Sequence, residues 1–308
     1  MSAGVALQAV VTGLATGAVY GLVALGFTLI FRLTRVVNLA HGDLVVGTVF
    51  VGVLAAVGTT PVVTRPGIGT AVFEVLVVLA AGVLLSVITY LAAVRPYATA
   101  QGGGLGPLVA TLAAGLLVRE SLGLPFDREA YALADPLLLP TGSVGLPGGG
   151  RVEVRLFFVL ALALFAAIAV ERYVVRTRFG TAMRAVAEDR ETASLLGVPA
   201  RRIELVAFAL AGLLAGLAGL LAAPGRTLAV GSGVVLGLKG VTAALLGGLG
   251  SLRGAIAGGL VLGVVESLAT TSDLLGPAYA DVLALSVLVV VLAARPLGLF
   301  ARFTPAVE

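Results

Sequence analysis

Cysteine is absent from this chain of 308 residues, and histidine occurs only once, at His41. The first absence excludes disulfides, thiolate metal sites and a cysteine nucleophile. One histidine without cysteine leaves almost nothing from which to build a zinc centre, so no metal site is expected. No catalytic site is expected either: the acids are scattered, and neither a hydrolytic triad nor a paired-carboxylate arrangement can be composed from them. Charge is scarce as well. Asp, Glu, Lys and Arg make up 12% of the residues while 59% are hydrophobic, and mean hydropathy is +1.12; a soluble domain carries roughly 25% charge. The chain reads as an integral membrane protein. Its net charge of +4 is small and sits in short loops, where it reports membrane topology and not a nucleic-acid partner. Lysine is nearly missing too: nineteen of the twenty basic residues are Arg, and only Lys239 remains. With the abundant Gly, Ala and Val, that bias fits GC-rich coding more than function. A phosphate-binding loop needs G-x-x-x-x-G-K-[ST], yet Lys239 follows Leu238 and precedes Gly240 and Val241. No cofactor is expected on this chain, and any ATP must bind elsewhere.

What is present is apolar sequence in long runs. Runs of spanning or near-spanning length fall at about 6–30, 71–94, 156–175 and 203–223, and shorter ones at 44–57, 107–122, 234–250, 255–269 and 282–294. About 20 residues cross the hydrocarbon core as a helix, so the shorter runs are short spans, broken helices or re-entrant pieces. The opening stretch has no basic n-region and exceeds a signal peptide's apolar core, so it is expected to be the first span. The expected fold is an all-α polytopic bundle of about eight or nine transmembrane helices, forming one transmembrane domain over 1–308. If all nine runs cross, the loops at 31–43, 95–106, 171–202 and 251–254 and the carboxyl-terminal tail share one side with thirteen basic residues; the opposite loops hold Arg65, Arg128, Arg151, Arg155 and Arg226. The positive-inside rule then puts the amino terminus outside and the carboxyl terminus in the cytoplasm.

Glycine is the expected packing device. Gly13, Gly17 and Gly21 recur every four residues, as do Gly250, Gly254 and Gly258, with Gly212–Gly216 and Gly259–Gly263 at the same spacing. Small residues at that interval let helix backbones approach closely in lipid. The outer loop at about 123–155 holds Pro125, Pro136, Pro140, Pro147 and Gly148–Gly150, so it is expected to be irregular and to offer a surface to an external partner.

Polar residues inside so apolar a chain need a reason. In 36-VVNLAHGDL-44, Asn38, His41 and Asp43 follow a long uncharged run. An aspartate at mid-bilayer costs about 2.5–3.5 kcal/mol on insertion scales, so Asp43 belongs at an interface or inside the bundle with a partner. Two readings stay open. One makes Asn38, His41 and Asp43 part of a translocation path or gate. The other makes them a polar turn that fixes a broken helix, with Asp43 capping the helix that follows. Glu266, inside the 255–269 run, is a further path candidate, or it pairs with a neighbouring Arg. Glu74 is expected at the membrane interface.

The loop 176-RTRFGTAMRAVAEDRETASLLGVPARRIE-204 reads as a polar-rich helix over 181–196, ended by Gly197 and Pro199. Met183, Val186, Ala187, Ala193 and Leu196 can share one side, with Arg184, Glu188, Asp189 and Arg190 around the rest. A solvated connector is the plain interpretation; a helix that docks into a groove of another protein explains the small residues near its end better. Within it, 191-ETASLLG-197 resembles the "EAA" loop of bacterial ABC importer permeases, with Thr192 for the middle alanine and without the downstream Ile-x-Leu-Pro. FGTAMRAVAEDRETASLLGV followed by 208-FALAGLLAGLAGLL-221 closely resembles the Liv-type branched-chain amino acid permeases. So do 36-VVNLAHGDL-44, 238-LKGVTAALLGGLGSLRGAIAGGLVLGVVESL-268 and the closing 295-RPLGLF-300. The NLAHGD form is similar to the LivH-type subunit more than to its LivM-type partner.

The resemblance implies the permease subunit of an ATP-binding cassette importer in a bacterial cytoplasmic membrane. Its partners would be a second permease subunit, identical or different, two cytoplasmic ATPases that carry ATP and Mg, and an extracytoplasmic substrate-binding protein. Arg184, Asp189, Glu191, Ala193 and Gly197 would belong to the coupling helix in the ATPase groove. A stand-alone secondary transporter or channel for a small polar solute such as urea or an amide is the rival; it fits broken glycine-rich helices but leaves the coupling-like loop unexplained.

Overall fold

The computed structural model describes residues 2–59, 66–97, 105–126, 130–224, 227–272, 280–295 and 298–299. Arg65, Arg128, Arg226 and Arg302, which enter the charge count, lie outside the described residues, as does part of the closing RPLGLF.

Each apolar run is a helix. α1 spans Ala3–Thr34, α2 His41–Val57, α3 Ile68–Thr89 and α4 Gly106–Gly123; α5 spans Val154–Arg176, α8 Ala200–Ala222, α9 Ser232–Gly247, α10 Leu252–Thr271 and α11 Ala280–Ala294. Five stretches among the described residues are long and apolar enough to cross a membrane: α1, α3 with its extension to Tyr97, α5, α8 and α10. α2 and α9 are shorter apolar helices.

α1 is the axis of the bundle. Its apolar residues surround the helix instead of forming one stripe, as expected of a helix buried on all sides, and from Tyr20 to Ile30 every residue is buried. At about 1.5 Å per residue it is roughly 48 Å long, so its ends mark two faces. On the hairpin face, Ser2 Oγ donates to the Gly148 carbonyl and Gln8 Oε1 accepts from the Arg151 amide. On the opposite, loop face, Arg32 lies beside Gly250.

Glycine contacts set the helix order around α1, and α10 carries two glycine stripes with different partners. Gly259 and Gly263 face Gly13, Gly17 and Gly21, so closely that a Cβ on Gly17 would lie 2.6 Å from the Gly259 carbonyl oxygen. Gly254 and Gly258 face α9 instead, against Gly247 and Ala243. α3 and α8 cross in the same manner, Gly82 against Gly212. These close approaches are divided between two interfaces of α10, and Gly250 takes no part in them, lying at φ +91° in the turn before the helix.

Two elements depart from the sequence-based expectation. The outer loop is not irregular throughout: β2 (Ser143–Gly145) pairs with β3 (Arg151–Glu153) as an antiparallel hairpin, and β1 (Ala130–Ala132) pairs with β4 (Thr227–Ala229). Pro147 and the glycines at 148–150 supply the tight turn between β2 and β3, with positive φ at Gly148 and Gly149. The loop helix is two helices, α6 (Arg178–Glu188) and α7 (Arg190–Leu195). Glu74 is buried in α3 beside Gly52 of α2.

Candidate functional site

On the loop face, α6 and α7 are broken apart by a cap. Asp189 adopts an extended conformation, and its Oδ1 accepts from the Glu191 and Thr192 amides, satisfying donors that a helix start leaves free. The Thr192 hydroxyl donates to its other oxygen. The Thr192 hydroxyl and amide, and then the Glu191 amide, hold the Asp189 carboxyl below the usual carboxylate range. Gly197 closes α7 with φ +85°, a left-handed conformation that costs a residue with a Cβ.

The side chains of this element divide in two. Met183, Val186 and Ala193 are buried in the bundle's own core. Leu195 and Leu196 point away, 84% and 80% exposed. Leu196 therefore does not share the side of Met183, because the break at Asp189 rotates α7 relative to α6. Ala193 faces inward, and Glu191 and Arg184 lie exposed.

Below α7 lies a connection that sequence reading missed. Arg190 Nε donates to Glu204 Oε1 at 2.7 Å, and Glu204 Oε2 accepts from the Tyr90 hydroxyl at 2.5 Å. Glu204 is in the first turns of α8, 3% exposed; Tyr90 opens a π-helical segment, Tyr90–Val94, that continues α3. The Glu204 carboxylate, first by its hydrogen bond, raises the Arg190 pKa. Three side chains thus tie the loop to two spanning helices, with Ser86 of α3 adding a hydrogen bond to the Phe208 carbonyl of α8. The sequence signal was the acid at 204 placed fourteen residues after Arg190, which only the folded loop brings together.

The 36–44 stretch folds back into the bundle. His41 packs on Gly26 and edge-on to the Phe27 ring, with centroids 4.8 Å apart. Gly26 lies eight residues before the end of α1, about 12 Å inside it. The triplet is therefore interior, at the crossing of α1, α2, α4 and α9. Gly42 meets Gly233 and Gly237 of α9, Asp43 meets Gly115 of α4 and Gly233, and the Leu39 amide donates to Thr111 of α4. The expected capping by Asp43 is not what the structure has. Asn38 Oδ1 instead accepts from the Ala40 amide before α2 begins at His41. Asn38 Nδ2 and Asp43 Oδ1 are buried without a hydrogen-bond partner among the described residues. The set does not line the cavity described next.

That cavity, of about 290 Å³, opens between α1, the start of α5 and the end of α8 on the hairpin face. It lies at the small end of ligand sites, about 300–1,000 Å³. One wall is a polar ladder on α1, Gln8, Thr12, Thr16 and Tyr20, at the four-residue interval that stacks side chains along one helix face. Val19, Leu156, Val159 and Leu236 supply apolar surface. At the rim are Arg151, Glu153 and Arg155, where Arg155 pairs with Asp135 at 2.9 Å. Outside this lining, past Tyr20, Lys239 Nζ sits 3.5 Å from the Tyr20 hydroxyl and 2.6 Å from Glu266 Oε1. Glu266 therefore has a partner, and it is the chain's one lysine, not an arginine.

Known proteins can now be compared. Residues 9–292 match the family model of the branched-chain amino acid transport system permease component. The chain belongs to that family. It is 31% identical to the high-affinity branched-chain amino acid transport permease protein BraD of Pseudomonas aeruginosa, over 98% of this chain and 97% of the relative. It is 30% identical to LivH of Escherichia coli K12 over the same shares. Among solved structures, an inward-facing metal-chelate type ABC transporter aligns with a TM-score of 0.51 at 16% identity, covering 92% of this chain and 85% of that one; this likeness concerns the fold alone. The chain is thus a transport-system permease component, with five helical stretches among the described residues long and apolar enough to span a membrane.

Proposed function

We propose that this permease moves branched-chain or related small amino acids inward across a bacterial cytoplasmic membrane, by alternating access driven by two separate ATPase subunits. The observation that carries the reading is the exposed leucine pair at the tip of α7, anchored through Arg190–Glu204–Tyr90 to α8 and α3. Two large apolar side chains at the end of a helix that protrudes on the basic face are suited to a groove on another protein. Force applied there is passed to spanning helices through buried hydrogen bonds, not through a loose loop. The names of the relatives support the substrate class.

In this reading the loop face is cytoplasmic and the hairpin face is outside, where a binding protein delivers substrate beside the cavity rim. A second permease subunit completes the path, and ATP and Mg reside on the ATPases. The expected test is reconstitution of the chain with its second permease, ATPases and binding protein, followed by uptake of labelled leucine. ATP-dependent uptake that unlabelled isoleucine and valine suppress supports the proposal. An assembled complex that ignores leucine and carries urea or a short amide would contradict the substrate assignment.

A further inference from the structure

The geometry points to a zwitterion subsite at the Lys239–Glu266 pair: Lys239 receives the α-carboxylate of the amino acid and Glu266 its α-ammonium, beside the Tyr20 end of the α1 polar ladder. This deepens the amino-acid reading above and rests on it.

Four observations carry it. First, the pair lies within two apolar helices, α9 and α10, where an ionised side chain is costly and marks a path more often than a joint. α9 and α10 have no need of an ionic link, because Gly254 and Gly258 already seat them backbone to backbone. Second, the pair is incompletely satisfied: Glu266 Oε2 is buried with no hydrogen-bond partner among the described residues. An ammonium group brings the donors that this oxygen lacks. Third, the cation is lysine in a chain whose other nineteen basic residues are arginine. A compact ammonium with three rotatable donors can leave one carboxylate for another more readily than a guanidinium held in a fixed fork. Fourth, the pair adjoins the cavity through Tyr20, although neither of its residues lines it. Tyr20 is part of the lining, with Lys239 Nζ 5.6 Å from its ring centroid, and Leu236, one turn before Lys239 on α9, lines the cavity as well.

The resulting site is divided as a branched-chain amino acid is. Charge of both signs lies beside Tyr20, while the adjoining cavity presents hydroxyls from Thr12 and Thr16 and, at Val19, Val159 and Leu236, apolar surface for an aliphatic side chain. Entry of the zwitterion exchanges one ion pair for two, so neither Lys239 nor Glu266 is left uncompensated in the membrane.

The test uses the assembled transporter in proteoliposomes, reading labelled leucine uptake beside ATP hydrolysis stimulated by the loaded binding protein. Lys239→Gln and Glu266→Gln are each expected to lower uptake about tenfold or more, the scale of one lost charge-assisted hydrogen bond, while stimulated hydrolysis stays within about twofold of wild type. The exchanged double variant, Lys239→Glu with Glu266→Lys, keeps an ion pair across the two helices but reverses the charges offered to the substrate. It is expected to assemble and still fail to transport. Wild-type uptake by either single variant, or restored uptake by the exchanged pair, overturns the subsite and leaves a structural ion pair. Should the exchanged pair not assemble, Lys239→Arg decides, since it keeps the charge: uptake at the wild-type rate overturns the proposal and a clear loss supports it. Absence of any amino-acid uptake by the wild-type complex overturns the importer reading itself and the subsite with it.

Discussion

Glu204 is the side chain on which the loop-face arrangement turns. Its carboxylate is shared between the Arg190 guanidinium and the Tyr90 hydroxyl, and it is buried while Arg190 is partly exposed. Removing the charge takes away a charge-assisted bond but leaves an amide that can still accept from Tyr90. Glu204→Gln is therefore expected to insert and assemble, and to transport about tenfold less per ATP hydrolysed; simultaneous measurement of uptake and hydrolysis reads that ratio. Glu204→Ala removes both bonds and is expected to lower the thermal midpoint as well. At this scale the sequence was only partly legible. Asn38, His41, Asp43 and Glu266 are recognisable as anomalies because polar residues in apolar runs demand partners. Their partners are not recognisable, because Lys239 lies 27 residues from Glu266 and Arg190 lies 100 residues from Tyr90. Asp43 reads as a cap in the sequence because Asp is a common one, but α2 starts two residues earlier, at His41, without a side-chain cap, and Asp43 falls in its first turn.

Among the elements, α10 shows how glycine placement alone sets the neighbours. Its two stripes select α1 on one side and α9 on the other. Gly17→Leu is expected to destabilise the permease by at least about 1–3 kcal/mol, the range for overpacking, because the new side chain must enter the space of the Gly259 carbonyl. Gly69→Ala is the control: nothing lies within 4 Å of a Cβ there, and alanine in a helix is neutral or mildly stabilising. Thermal unfolding of the two variants in one detergent gives the comparison. α7 makes a second prediction. Leu195→Asp with Leu196→Asp is expected to leave the permease folded, since both side chains are exposed, and to abolish co-purification with the ATPases. Retained co-purification contradicts a docking role for this tip. Helix positions were legible throughout, because each apolar run became a helix within a few residues. The break in the loop helix was not, because Asp189 is compatible with both a helix interior and a cap; its extended backbone and hydrogen bonds to Glu191 and Thr192 decide for the cap.

For the whole molecule, the cavity with the ion pair beside it lies toward the hairpin face, and the anchored loop lies at the opposite face. α1 connects them, carrying the polar ladder on one side and the glycine stripe on the next. Membrane embedding and the family were legible from composition and from motifs in chain order. The cavity was not, because it is assembled from α1, β3, α5, α8 and α9, and its ladder of Gln8, Thr12, Thr16 and Tyr20 is diluted among the apolar residues of the first run. The central claim is that ATP hydrolysis outside this chain moves solute through it. The direct measurement supplies the reconstituted complex and its binding protein with one energy source at a time, trapped ATP or an ion gradient, and follows labelled leucine. The account predicts uptake with ATP alone and none with the gradient alone. Gradient-driven uptake, with this chain sufficient by itself, would contradict it.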